Sequence, residues 1–130
     1  MKKTLFLLSA LFIFACSSDD SSEDSPLPTY TIEGKWIWSP TENRADANTM
    51  YEFIDGNIYT SYCITCPGDD DYWNSLDSSD RIPGVHSYSF DGDTLLWNGT
   101  PRAVTFECDG GKLNLDGSFS HLWRLSSDCQ

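Results

Sequence analysis

The chain has 130 residues, with 20 acidic against 8 basic side chains, a formal net charge of −12 and five cysteines. A surface this acidic is repelled by phosphate backbones and anionic head groups, which excludes nucleic-acid binding and any electrostatic hold on a lipid surface. The length allows one domain with one modest core, and five Trp, six Tyr and seven Phe beside scarce lysine favour strands over helices.

At the start of the chain, Lys2 and Lys3 precede an apolar run from Leu5 to Phe14. That run is too short to span a bilayer and has the form of a secretory signal peptide. It ends in Ile13-Phe14-Ala15-Cys16, a small residue followed directly by cysteine, which resembles the lipobox of bacterial lipoproteins. The resemblance implies cleavage after Ala15, a diacylglycerol on the Cys16 thiol and acylation of the new amine. Residues 1–15 hold two of the eight basic residues and none of the acids, so their removal takes the net charge from −12 to about −14. Membrane attachment then rests on the lipid at Cys16, each buried methylene contributing about 0.8 kcal/mol. The expected address is that of an outer-membrane lipoprotein.

Residues 16–29 read as the lipidated cysteine and an acidic flexible tether, since serine, acid and proline leave almost nothing to bury. As a flexible coil it reaches about 20 Å. Ser18-Asp19-Asp20 resembles the surface-export signal of some Gram-negative lipoproteins; the plainer reading is a solvated spacer.

From Tyr30 to the end the period is two. Tyr30, Ile32, Trp36 and Trp38 share one face while Thr31, Glu33 and Lys35 share the other, with Ile37 as the exception. Further strands are expected at 49–55, 57–64, 85–90, 94–97, 102–108, 112–115 and 118–125. Between them stand Asp55-Gly56, Asp91-Gly92, Asn98-Gly99, Asp109-Gly110 and Asp116-Gly117, dipeptides that tolerate the positive φ of tight hairpins. No sustained helical period follows Thr29. The expectation is an all-β domain over 30–130, an antiparallel meander of about eight strands closed into a small up-and-down barrel. Trp36, Trp38, Phe53, Tyr88, Phe90, Phe106, Phe119 and Trp123 are expected to fill its interior.

Simple alternation of the strands puts loops 39–48 and 64–84 at one rim, here called the top, facing away from the tether. The start of the domain, the turns at Asp55, Asp91 and Asp109, and the C-terminus gather at the bottom. With Cys16 taken by lipid, four cysteines allow three pairings. The rims favour Cys63-Cys66 at the top and Cys108-Cys129 at the bottom.

Gly34-Lys35-Trp36 on the first strand, with Arg124 on the last, resembles the lipocalin (calycin) signature, and the domain resembles the short lipocalin-like domains of bacterial lipoproteins. In that family the Trp packs across the closed end of the barrel and the basic residue lies over it. The resemblance implies barrel closure by Gly34, Trp36 and Arg124. Physically, a guanidinium over an indole is a cation–π contact.

Several patterns bear on chemistry. Cys63-Ile-Thr-Cys66 has redox spacing but lacks a helix within a βαβ unit, so a structural disulfide is the reading. Asp69, Asp70 and Asp71, with Asp77 and Asp80, could offer oxygen ligands to calcium but do not follow a calcium-loop spacing, and no metal site is expected. Tyr72 and Trp73 beside them stand as candidate rim-binding residues or as a plug for the barrel mouth. His86 and His121 fall on inward-facing positions without a nucleophile partner, and satisfied barrel histidines are expected. Asn98-Gly-Thr100 matches a glycosylation sequon but reads as a turn. The resulting expectation is a non-catalytic, lipid-anchored module without cofactor, binding a small molecule, glycan or protein at the rim loops 39–48 and 64–84 together with Asp69–Asp71, Tyr72 and Trp73. The alternatives are a lipocalin-like carrier of a small apolar ligand and, last, an enzyme using a barrel histidine.

Overall fold

The computed structural model describes residues 29–65, 67–116 and 121–130. Eight strands run β1 (Gly34–Trp38), β2 (Thr49–Ile54), β3 (Asn57–Tyr62), β4 (His86–Phe90), β5 (Thr94–Trp97), β6 (Thr100–Glu107), β7 (Lys112–Leu115) and β8 (His121–Arg124). Each pairs antiparallel with the next and β8 returns to β1, so the sheet is a closed meander barrel. Closure leaves no edge strand to pair with a neighbour. The tight turns follow their residue types: Asp55, Asn98 and Asp109, with the glycine after each, all have positive φ.

Directly opposed residues in an antiparallel pair share a face, so the registers sort the side chains. Trp36 opposes Tyr51, Phe53 opposes Ile58, Tyr88 opposes Trp97, Phe90 opposes Leu95, and Leu113 opposes both Phe106 and Leu122. All of them face inward. Ten buried side chains form this interior core, and Trp38, Tyr88, Phe90, Trp97 and Phe106 pack against it. The rings meet edge to face: Tyr51 and Trp97 are 4.9 Å apart, Phe53 and Tyr88 5.0 Å.

A second core lies on the outside of the barrel. Ile37, the break in the alternation of the first strand, opposes Met50 on one side and Trp123 on the other. These three outward side chains make an apolar stripe across β8, β1 and β2, and Ala47, Trp73, Leu125 and Cys129 are buried with them. The cover is a short helix, α1 (Asp70–Ser75), in the segment read as a loop without helix. Asp69 caps α1 by accepting from the Tyr72 amide at 2.8 Å. The Asp70 carboxylate accepts from the Ser126 amide, Asn74 donates to Ser126 Oγ, and Lys35 Nζ donates to the Leu76 carbonyl, which fix the helix along the wall.

Three expectations change accordingly. Trp123 lies on the outer wall and not inside the barrel, and His121, opposite Asn114 on the same outward row, is not an inward histidine. In His-Leu-Trp-Arg-Leu either parity buries an apolar residue, and the pairing of Leu122 with Leu113 decides it. The 64–84 segment does not simply project from the top; it folds back down the wall before returning to the rim at Arg81, which bridges Ser61. Phe119 lies outside the described residues.

Candidate functional site

At the bottom of the barrel Gly34, Trp36 and Arg124 come together. Arg124 opposes Trp36 across the β8–β1 seam, and its guanidinium sits 4.3 Å from the centre of the indole. Its Nη1 donates to Glu33 O at 2.9 Å, its Nη2 to Thr31 O and its Nε to Gly110 O at 3.2 Å. Trp36 Nε1 donates to Ile32 O at 2.7 Å. These bonds strap residues 31–33 across the barrel end in place of a ladder, so β1 begins at Gly34 and not at Tyr30. Gly34 has φ +116°, and a Cβ there would stand 3.2 Å from Arg124 Nη1; both facts demand glycine. Burial lowers the Arg124 pKa from its ordinary value. The Cys108–Cys129 disulfide lies at the same end. An open cleft of about 470 Å³ runs beside it, between the start of the domain and the C-terminal segment.

At the top the pattern is apolar. Tyr62 ends β3 in the inward row that contains Thr49 and Trp38, and it is 53% exposed. The Ile82 amide donates to Thr60 O at 2.8 Å, which seats Ile82 beside the upper half of β3. Ile64 is 85% exposed and lines a cleft of about 260 Å³ with Ala45–Asn48 and Thr65. Ile82 and Val85 are exposed as well. Cys63, at the base of this edge, is disulfide-bonded; Cys66 lies outside the described residues, as does Cys16.

The other candidates go elsewhere. Trp73 is fully buried against the outer wall, so it neither plugs the mouth nor faces a ligand at the rim, and Tyr72 packs beside it. Arg44 Nη2 donates to both carboxylate oxygens of Asp70, at 2.7 and 2.9 Å, Asp69 is a helix cap, and Asp71 is exposed. Hydrogen bonds from Ser79 lower the pKa of Asp77, which closes a capping box with Asp80. Among the described residues no three His, Cys, Asp or Glu side chains are grouped to hold a metal ion. His86 opposes Ile58 and is exposed. His121 Nδ1 is 3.8 Å from Glu42 Oε1 on the outer wall, beyond hydrogen-bond reach, so the two histidines belong to different places.

Of the rim residues, Tyr62 and Ile64 escaped sequence reasoning because they fit the apolar row of the strand expected at 57–64, Val85 because it opens the strand expected at 85–90, and Ile82 because it lies within a loop. Their exposure follows from strands that end early, β3 at Tyr62 and β4 only from His86. Pro83, which cannot donate to a ladder, and Gly84, with φ +114°, are the one local signal for that interruption. Comparison with protein-family models, with curated proteins and with solved structures finds no match.

Proposed function

We propose that the chain is a non-catalytic binding module of lipocalin-like kind, held to the outer membrane by lipid on Cys16, whose contact surface is the top rim at the two ends of the 64–84 segment. One observation carries the reading. Of the five exposed large apolar side chains among the described residues, Tyr62, Ile64, Ile82 and Val85 flank that segment, and only Leu96 stands apart on the outer face of β5. Apolar side chains scattered singly need no explanation, whereas a cluster at one rim does. Tyr30, where the tether joins the domain, lies at the opposite end beside Gly110, which suits a rim turned away from the membrane. The carrier reading draws on the lipocalin-like resemblance, but a ligand would compete with the aromatic rings for the same interior.

Two measurements test it. With Cys16→Ala, the protein is expected to leave the membrane fraction of the producing cell and to lose labelling by a fatty-acid analogue; retention of both would end the anchor reading. A photoreactive residue at position 64 of the lipidated chain is expected to yield a discrete adduct in the cell, with none from position 96. Adducts of equal yield and variety at both positions would end the rim reading. Native mass spectrometry of the same protein addresses the carrier: an excess mass that departs on denaturation would favour it.

A further inference from the structure

Resting on that rim reading, the charge around the apolar edge specifies what kind of partner it fits. The two rim loops, 39–48 and 64–84, carry seven acids (Glu42, Asp46 and five aspartates between positions 69 and 80) against two arginines, Arg44 and Arg81. Neither arginine offers a free positive charge. Arg44 is bound to Asp70 at 2.7 Å, and Arg81 is bound to Glu52 at 2.6 Å while it lies 4.0 Å over the Tyr59 ring. Asp46 lines the cleft beside Ile64, and Asp80 stands two residues before Ile82, so the exposed edge of Tyr62, Ile64 and Ile82 has acids on both sides while Asp69–Asp71 lie lower, on the outer wall.

Charge decides between occupants of that edge. A second copy of this chain would bring another net charge of −12, and like-charged surfaces oppose association. A neutral apolar molecule gains nothing from these acids. A chain that combines a row of aliphatic side chains with lysine or arginine gains twice. Its apolar face covers the exposed side chains, and its cations meet loops in which acids outnumber cations, with association accelerated by steering. We infer that the top rim is a docking surface for a cationic amphipathic polypeptide segment, seated on Tyr62, Ile64 and Ile82 and held by the acids of the two rim loops.

The test uses the full mature protein in detergent and two synthetic amphipathic peptides with the same leucine face, one carrying lysine and the other glutamate on its polar face. The lysine peptide is expected to bind, to weaken by about tenfold or more between 50 and 500 mM NaCl, and to lose about tenfold in affinity on the double substitution Ile64→Ser and Ile82→Ser. That substitution leaves the net charge untouched, so general attraction to an acidic protein is not disturbed by it. Neutralising the opposite rim, Asp91→Asn with Asp93→Asn, is expected to change affinity by less than about twofold. Equal binding of the two peptides, or binding indifferent to the Ile64 and Ile82 substitutions, would overturn the inference. Failure of this inference is separable from failure of the rim reading: a discrete adduct at position 64 that proves neutral or acidic keeps the rim and removes the cationic partner, whereas no selective adduct removes both.

Discussion

Arg124 is held by three carbonyls and one indole, and that arrangement ties sequence to closure more tightly than any other single residue here. The three bonds run to Thr31, Glu33 and Gly110, and the planar fork stacks on Trp36. Lysine keeps the charge but loses the fork and the stacking face. Arg124→Lys is therefore expected to cost about 2–3 kcal/mol in denaturant unfolding, close to Arg124→Ala; a loss below about 0.5 kcal/mol would mean the strap does not depend on the guanidinium. Tyr88 supplies the pH arm at the same end. It donates to the Glu33 carboxylate, and burial first, then that partner, pushes its pKa from 10.0 to about 12. The folded state thus holds the phenol proton more tightly than the unfolded chain does. The sign follows from linkage: the contribution is present in full below pH 10 and drains away as the pH rises toward 12. Wild-type stability is expected to fall more steeply across that window than the stability of Tyr88→Phe, and parallel curves would remove Tyr88 from the account.

At the scale of elements, α1 is the informative one. A six-residue helix has no independent stability in water, so it exists because Trp73 is buried over Ile37, Met50 and Trp123 and because Asp69 caps it. Trp73→Ala is expected to cost about 3–5 kcal/mol by calorimetry or denaturant titration. Trp73→Phe is expected to cost much less, since the indole N–H finds no hydrogen-bond partner among the described residues and its loss removes an unmet donor. A ligand-facing Trp73 would give the opposite pattern, neutral for stability. The eight strands were legible because period-two alternation and the Asp-Gly and Asn-Gly turns agree with one another, residue by residue. The helix was not, because a single turn shows no period and its anchor, Ile37, read only as an irregularity. Strand alternation brings the ends of the 64–84 segment to the top rim, but nothing in the alternation shows that its middle folds down the wall as α1. Asp69, Asp70 and Trp73 look available in a linear string, and only the fold reveals that each is already engaged.

The whole molecule has two unlike ends, and the disulfide belongs to the closed one. Cys108 and Cys129 are 21 residues apart, with the bond joining the β6–β7 turn to the last residues of the chain. Cys129 is also part of the outer-wall core beneath α1, and Gly111 comes so close to its sulfur that a Cβ would stand at 2.4 Å. The bridge therefore holds β8 where it must meet β1, and with it Arg124 over Trp36, while the acidic top rim lies at the other end. In the chain-entropy account, closing a loop of this length removes enough unfolded-state freedom to stabilise by about 2–4 kcal/mol. Cys108→Ser is expected to cost that amount in denaturant titration and, because the strap and the disulfide share Gly110 and its neighbours, to show coupling with Arg124→Lys in a double-mutant cycle. Additive losses would mean that the two devices close the barrel independently. A loss below about 0.5 kcal/mol for Cys108→Ser alone would mean that packing beneath α1 already fixes the C-terminal segment and the bond merely records it.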